Sequence, residues 1–284
     1  MAQHFVCLTF DHDNTSSAIS RDLTSPTPIS RGDFGMVAID RVLELLREHN
    51  IDSTWFMPGH TIETYPRSVA SVVKAGHEIA HHGWTHRVPA SLGREAEERE
   101  LERGNEAIKK LTGRYARGYR SPAWDLSPHS IGLLLKHGFI YDSSLMGHDY
   151  LPYQARDGDV VTLEQPLIHG PDTKLVEMPI SWTLDDYPVF EYMRMQNFIQ
   201  PGLMNAGLVG ENWLADFTYM REHYEWGILT YTFHPHVIGR GHRMIMLENL
   251  IERLREGGAK FVTMEQAVAE YRIKFPGGRS ERGR

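Results

Sequence analysis

The chain has 284 residues, enough for one sizeable core or two small ones, and its 41% hydrophobic and 24% charged residues are ordinary for a water-soluble globular protein. A formal charge of −7 and a pI near 6.1 give no electrostatic footprint for nucleic acid, and no stretch nears the roughly 18 uninterrupted apolar residues of a membrane span. A single cysteine, Cys7, excludes an intrachain disulfide.

Met1 to His4 lead straight into 5–10, six residues of strand character with no secretory signal before them, so a cytoplasmic location is expected. Val37, Val42, Leu45 and Leu46 then mark a helix ending near Asn50. Residues 53–57 read as a strand stopped by Pro58-Gly59. A short helix follows, with Pro66 near its start, Val69, Val72 and Val73 on one face and Gly76 past its end. Residues 77–80 return as a strand, 94–111 as a charged helix closed by Gly113, and 117–121 as a strand. A helix over 128–137 and a strand over 140–143 come next.

Between 151 and 210 the rhythm breaks. This stretch is rich in Pro, Asp, Met and aromatics and holds one clear strand, 175–180, so it reads as an insertion over one end of the sheet. A strand at 228–233, a helix through Met244, Leu247, Leu250 and Leu254, a strand at 261–264 and a helix at 265–271 complete the chain. The basic stretch 277–284 is expected to be a disordered tail. Repeated β-then-α order with short connections predicts one α/β domain over 1–284 with a parallel sheet, as an open sheet or a closed barrel.

Sites in parallel α/β folds collect at the carboxyl ends of strands. The residues there are Asp11-His12-Asp13, His60, His82, Arg120 to Trp124, and His234, several of them types that bind metals or move protons. His82 and His86, four apart, can reach one ion, although Gly83 makes a regular helix there doubtful. Two imidazoles and one carboxylate suit zinc or a neighbouring first-row ion and leave positions open for water and substrate. A solvated pair of loop histidines explains the same spacing. Asp11 and Asp13 alternate across the end of the first strand, where one can ligate and the other accept a proton, or both can cap an ordinary turn.

Four ordered segments then match a known pattern. They are Thr9-Phe10-Asp11-His12-Asp13, Gly76-His77-Glu78 through His82-Gly83-Trp84-Thr85-His86, Arg120-Ser121-Pro122-Ala123-Trp124, and the apolar strand ending in His234-Pro235. The chain resembles the polysaccharide deacetylase (NodB-homology) family. Two departures are plain: His12 separates aspartates that are more often adjacent, and the Arg-x-Pro run continues into Ala-Trp. Arg31-Gly32 and Trp55 to His60 resemble a subgroup of peptidoglycan deacetylase-like proteins and enzymes that open cyclic imides or ureides.

The resemblance implies a distorted (β/α) barrel and one divalent ion, zinc first, with cobalt, nickel or manganese also compatible. It implies Asp13, His82 and His86 as ligands, Asp11 as general base, His234 as general acid and Arg120 as partner of Asp11. It also implies a homo-oligomer, a dimer or tetramer. A backbone N–H near Trp124 is a candidate oxyanion donor, and Trp124, Trp182 and His236 are candidate pocket residues.

Simpler readings are expected elsewhere. His81 points away from the metal, His77 at a helix end serves as a cation or meets a carbonyl, and Asp185-Asp186 is a solvated turn. Trp213, Phe217, Met220 and Tyr224 form a core stripe, or one that helps bury a subunit interface. The expected activity is hydrolysis of a small amide or cyclic imide, with N-deacetylation of peptidoglycan or chitin-type sugars as the alternative. A non-catalytic metal-binding relative is a third possibility, disfavoured because both Asp11 and His234 are present.

Overall fold

The computed structural model describes residues 2–194 and 199–278. Its strands are β1 (Gln3–Asp11), β2 (Thr54–Met57), β3 (Glu78–His81), β4 (Gly118–Tyr119), β5 (Tyr141–Asp142), β6 (Tyr153–Arg156), β7 (Asp172–Glu177), β8 (Met193–Arg194), β9 (Ile199–Gln200), β10 (Trp226–Phe233) and β11 (Lys260–Phe261). Nine of them form one sheet in the order β10-β1-β2-β3-β4-β5-β7-β6, with β11 on β1, while β8 and β9 pair separately. All pairings in the large sheet are parallel except β6 with β7. The sheet curls without closing, which gives the distorted (β/α) barrel that the alternation of elements predicts.

The register explains where the chemistry collects. Phe10 pairs with Phe233, Asp11 with Phe56, and His81 with both Met57 and Tyr119, so the carboxyl ends of β10, β1, β2, β3 and β4 lie along one rim. Along β1 the side chains alternate between two apolar layers. Val6, Leu8 and Phe10 pack with Val42, Leu46, Trp55 and Phe233, whereas Phe5 and Cys7 pack with Phe56, Met178, Ile228 and Tyr271. Burial on both sides is why β1 and β10 read as continuous apolar runs.

The first long helix, Pro26–Glu48, begins well before Val37, which is itself exposed while Ile39, Val42, Leu45 and Leu46 form the buried face. Its opening half is held by close approach to the chain after β1. A Cβ on Gly32 would meet Thr15 N at 2.6 Å, and one on Gly35 would meet Asn14 Oδ1 at 2.0 Å. These glycines let the helix backbone press on 14–15 and so help fix Asp13.

Residues 151–210 are more than a cover. Their first part supplies β6 and β7, which extend the sheet beyond β5, and only the part from Trp182 onward reaches the rim. The strand expected at 175–180 is β7, three residues earlier. β6 escapes pattern reading because it is only four residues long and one of its two buried residues is Ala155, a weak strand former. The proposed boundary at 210 falls inside the helix Ala206–His223, whose Trp213, Phe217 and Met220 are fully covered by this chain. These three are core, while Tyr224, the last residue of the stripe, is half-buried. Of the expected tail, 279–284 lie outside the described residues. No helix among the described residues is long and apolar enough to cross a membrane.

Across β5 and β7, Asp142 and Glu177 are register partners and fully buried. Glu177 Oε1 accepts the N–H of Ser144 (2.9 Å) and Leu145 (2.8 Å), and Asp142 Oδ1 accepts the Ser144 hydroxyl at 2.7 Å. Burial pushes both carboxyls up, and for Glu177 the neighbouring Asp142 charge adds to it. An acid whose folded pKa is raised holds its proton more tightly when folded, so its stabilising effect is full at low pH and lost as pH rises through the folded pKa. Glu177→Gln keeps an oxygen for both N–H groups and offers Asp142 a permanent donor. Its melting temperature is expected to match wild type near pH 5 and exceed it at pH 9; an equal gap at both pH values would show that the pair does not titrate.

Candidate active site

Asp11 ends β1, and its neighbours take opposite directions. His12 turns inward against the Trp55 ring (5.7 Å between centroids), and burial pulls its imidazole down to about 4. Asp13 turns back to the rim. Its carbonyl accepts the Ser16 N–H (2.9 Å), the Ser16 hydroxyl (2.7 Å) and the Thr61 hydroxyl (2.9 Å), which locks the backbone there. The separation of the two aspartates by one residue therefore keeps both on one side of the strand.

His82 and His86 lie on a loop, not on a helical turn. β3 ends at His81, Gly83 has φ 73° and His86 φ 61°, and these two left-handed residues fold the chain back on itself. Glu100 holds the bend by accepting the N–H of Trp84 and Thr85, each at 3.2 Å. The result places the two imidazole centroids 5.0 Å apart. His82 Nε2 is 3.4 Å from Asp13 Oδ1, and His86 Nε2 is 3.2 Å from Asp13 Oδ2.

The protons at this cluster can be assigned from its partners. His82 Nδ1 lies 2.7 Å from the Arg120 carbonyl, which only accepts, so Nδ1 carries the hydrogen of a neutral ring and Nε2 presents a lone pair to Asp13. Asp13 Oδ1 is buried and has no hydrogen-bond partner among the described residues. Lone pairs facing a carboxylate across 3.4 Å repel unless a cation lies between them. Burial works to raise the Asp13 carboxyl, but the imidazoles of His86, His82 and His234 together hold it well below the usual carboxylate range. Burial is also the main cause that lowers His82. The donor set, its convergence and the orphaned oxygen all fit a divalent ion.

Arg120 follows β4 and is completely buried. Its Nη1 donates to Asp11 Oδ1 (2.6 Å) and Thr9 Oγ1 (2.9 Å), while Nε and Nη2 reach the Ser143 carbonyl (3.2 Å) and hydroxyl (3.1 Å). The guanidinium carbon stands 4.0 Å from the Phe56 ring centroid. These contacts tie the Asp11 carboxylate to a fixed charge on Oδ1, leaving Oδ2 3.8 Å from His82 Nε2.

On the other side His234 follows β10. Asp186 accepts the His234 backbone N–H at 3.0 and 3.1 Å, and Asp186 Oδ1 lies 2.8 Å from Nδ1. Asp185 Oδ1 is 3.6 Å from the same nitrogen. Nδ1 therefore carries a hydrogen toward the carboxylates, and Nε2 points to Asp13 Oδ2 at 3.9 Å. Burial opposes charge on this ring, yet Asp185, Asp186 and Asp13 outweigh it and raise its pKa well above the usual imidazole value.

Asp185 and Asp186 are thus not a solvated turn. They are 1% and 0% exposed, and burial pushes both carboxyls up. Asp185 also caps the short helix Asp186–Phe190 through the Tyr187 N–H at 2.8 Å and bridges in parallel to Thr232. That local cap is the one feature readable in sequence; the bridge to β10, which brings the pair to His234, spans some fifty positions.

A cleft of about 400 Å³ brings Asp11, Asp13, His82, His86 and His234 together with Trp124, Trp182 and Tyr187. Trp124 and Trp182 stack with centroids 3.9 Å apart, the first buried and the second 41% exposed at the rim. The sharp turn at Pro122–Trp124 holds Ala123 and Trp124 at φ 54° and 52°, and the Trp124 N–H is donated to Ser121 O at 2.9 Å, so that amide is no free oxyanion donor. His236 is not on the cleft wall. It is buried beside a smaller recess with Asn14, Arg31 and Glu191, and its ring centroid is 6.0 Å from that of His234.

His81 does face away, with Nε2 donating to Leu101 O at 3.0 Å because Nδ1 accepts the Gly83 N–H. His77 accepts the Ser53 N–H at 3.3 Å instead of meeting a helix carbonyl.

This rim, with a carboxylate–imidazole cluster at the carboxyl ends of a curled parallel sheet, defines a hydrolase of the deacetylase type. The family model for polysaccharide deacetylases matches residues 2–141. The chain is 36% identical to the peptidoglycan deacetylase of Helicobacter pylori over 266 residues, covering 89% of this chain and 90% of that protein. It is 29% identical to the peptidoglycan deacetylase-like protein FGM2 of Gibberella zeae, over 84% and 76% of the two chains.

Among solved structures, one described as a polysaccharide deacetylase from Mycobacterium smegmatis superposes with a TM-score of 0.87 at 30% identity, covering all of this chain and 95% of that one. The Puue allantoinase shares the fold, with a TM-score of 0.75 at 16% identity over 97% and 92%. The chain belongs to the polysaccharide deacetylase family.

Proposed function

We propose that this protein is a metal-dependent hydrolase of non-peptide, amide-type carbon–nitrogen bonds whose substrate is a small amide or cyclic imide. The observation that carries the metal is the Asp13 carboxylate, met by the Nε2 atoms of His82 and His86 at 3.4 and 3.2 Å. Zinc is the first choice, because two imidazoles and one carboxylate form a three-ligand set with an open position. A bound divalent ion supplies Lewis acidity, polarising a carbonyl and making water easier to deprotonate.

The remaining work belongs to the protein. Asp11 accepts the proton of the attacking water at Oδ2, since Arg120 holds Oδ1. An amine or amide anion leaves poorly, so the departing nitrogen must be protonated as its bond to carbon breaks. His234 delivers that proton from Nε2 and is kept charged by Asp185 and Asp186. Asp186 fixes the ring through both its backbone N–H and Nδ1, so the donating nitrogen faces the cleft.

The cleft supports a small substrate. Its volume of about 400 Å³ lies within the range of small-molecule pockets. Trp182, Tyr187 and Gln200, all from the segment after β7, line it. A second reading, N-deacetylation of an amino-sugar polymer, is favoured by the 36% identity to a peptidoglycan deacetylase. Turnover of succinimide, hydantoin and dihydrouracil, compared with chitin oligomers and peptidoglycan fragments on zinc-loaded protein, decides between them. Ring opening, followed by loss of ultraviolet absorbance, is the expected result; release of acetate from the sugars alone would establish the second reading.

A further inference from the structure

The cleft holds three aspartates but, among its described lining residues, only one side chain of fixed positive charge, Arg21. All three aspartates already have cationic or imidazole partners: Asp11 has Arg120, Asp13 has His82 and His86, and Asp185 has His234. Arg21 has no carboxylate within ion-pair distance among the described residues; its one side-chain hydrogen bond there is from Nη1 to the Tyr187 hydroxyl, at 3.0 Å. The neighbouring Arg31 differs, being paired with Glu191 and donating to Tyr192 O at 2.9 Å.

Tyr187 stands between Arg21 and the reacting groups. Its ring centroid is 5.1 Å from that of His234, and the Arg21 guanidinium carbon is 5.8 Å from the same ring. Because its oxygen accepts from Arg21, the phenol hydrogen is directed elsewhere. The pair therefore offers a guanidinium fork and an O–H donor beside a catalytic cleft. That is the pattern that recognises a carboxylate, since guanidinium can bind two oxygens at once.

We propose that Arg21, with Tyr187, binds an anionic substituent of the substrate, so that the natural amide or cyclic imide carries a carboxylate in addition to its scissile bond. The stacked Trp124 and Trp182 then hold the apolar part of the molecule. This rests on the amide hydrolase reading for the identity of the second group, but the anion site itself does not depend on turnover.

Matched probes test it on the zinc-loaded full chain. Hydantoin-5-acetate is compared with 5-ethylhydantoin, and N-acetylglycine with N-acetylglycinamide, by calorimetric titration and, where either is turned over, by kcat/KM. The carboxylate member of each pair is expected to bind about 10–100-fold tighter, the worth of one charge-assisted hydrogen-bonded contact. In Arg21→Gln that ratio should fall to about one through KM, and Arg21→Lys should restore part of it as a point charge without the fork. Equal binding within the pairs, no detectable binding of either carboxylate probe, or a preference that survives Arg21→Gln overturns the proposal. If the preference follows Arg21 but nothing is hydrolysed, the anion site stands and the hydrolase reading falls.

Discussion

Asp13→Ala is expected to release the divalent ion and abolish turnover together. The loss in metal affinity should exceed about a hundredfold, because even partners one step removed from a metal ligand cost 10–100-fold when changed. Elemental analysis of protein purified without chelator, followed by activity before and after zinc is added back, reads both effects. The effect is large because His82 and His86 would retain no common anion. Each Nε2 faces Asp13, and among the described residues removing the carboxylate leaves His82 Nε2 with Asp11 Oδ2 at 3.8 Å and His86 with no carboxylate at ion-pair distance.

Asp11→Asn should behave differently. It keeps the side-chain oxygen that Arg120 binds and removes the base, so the ion is retained while kcat falls by about 10²–10⁴-fold. Should Asp11→Asn lose the metal and Asp13→Ala keep it, the two aspartates have exchanged roles.

Much of this site is legible in the chain because it is built from strand ends. Phe5 to Phe10 and Ile228 to Phe233 are apolar runs that announce buried parallel strands, and Asp11, Asp13 and His234 follow them directly. What makes Asp13 precise is less visible. It depends on Gly32 and Gly35, which let a helix press on the chain just after it, and those glycines look in sequence like poor helix formers. His82 and His86 converge through a loop, as Gly83 between them suggests: two left-handed residues, Gly83 and His86, turn the chain back.

The largest omission is the pair Asp185-Asp186. Two adjacent acids in a stretch rich in Pro, Asp, Met and aromatics suggest a solvated loop, because burying a carboxylate is costly without a partner. Their partner, His234, is 48 positions away from Asp186, and the bridge between Asp185 and Thr232, with the His234 N–H bonds to Asp186, joins the two segments. His236 is the converse. It sits two residues from His234 and faces a different recess, since the short helix Pro235–Ile238 turns about 100° per residue and so sets positions two apart on roughly opposite faces.

The Asp186–His234 contact supplies a test of the acid. Removing the imidazole with His234→Ala is expected to lower kcat on a plain amide by about 10²–10⁴-fold. Asp186→Asn retains the oxygen that accepts at Nδ1 or the backbone but removes the charge, so its loss should be smaller, about 10–100-fold, and should fall on kcat with KM little changed. Both losses must depend on the leaving group. A departing amine needs its proton before the bond breaks, whereas a nitroanilide or an aryl ester leaves with far less help. Each variant should therefore lose least on the ester and most on the alkyl amide, with zinc content equal to wild type. A uniform loss across that series would mean that Asp186 and His234 shape the cleft without moving a proton.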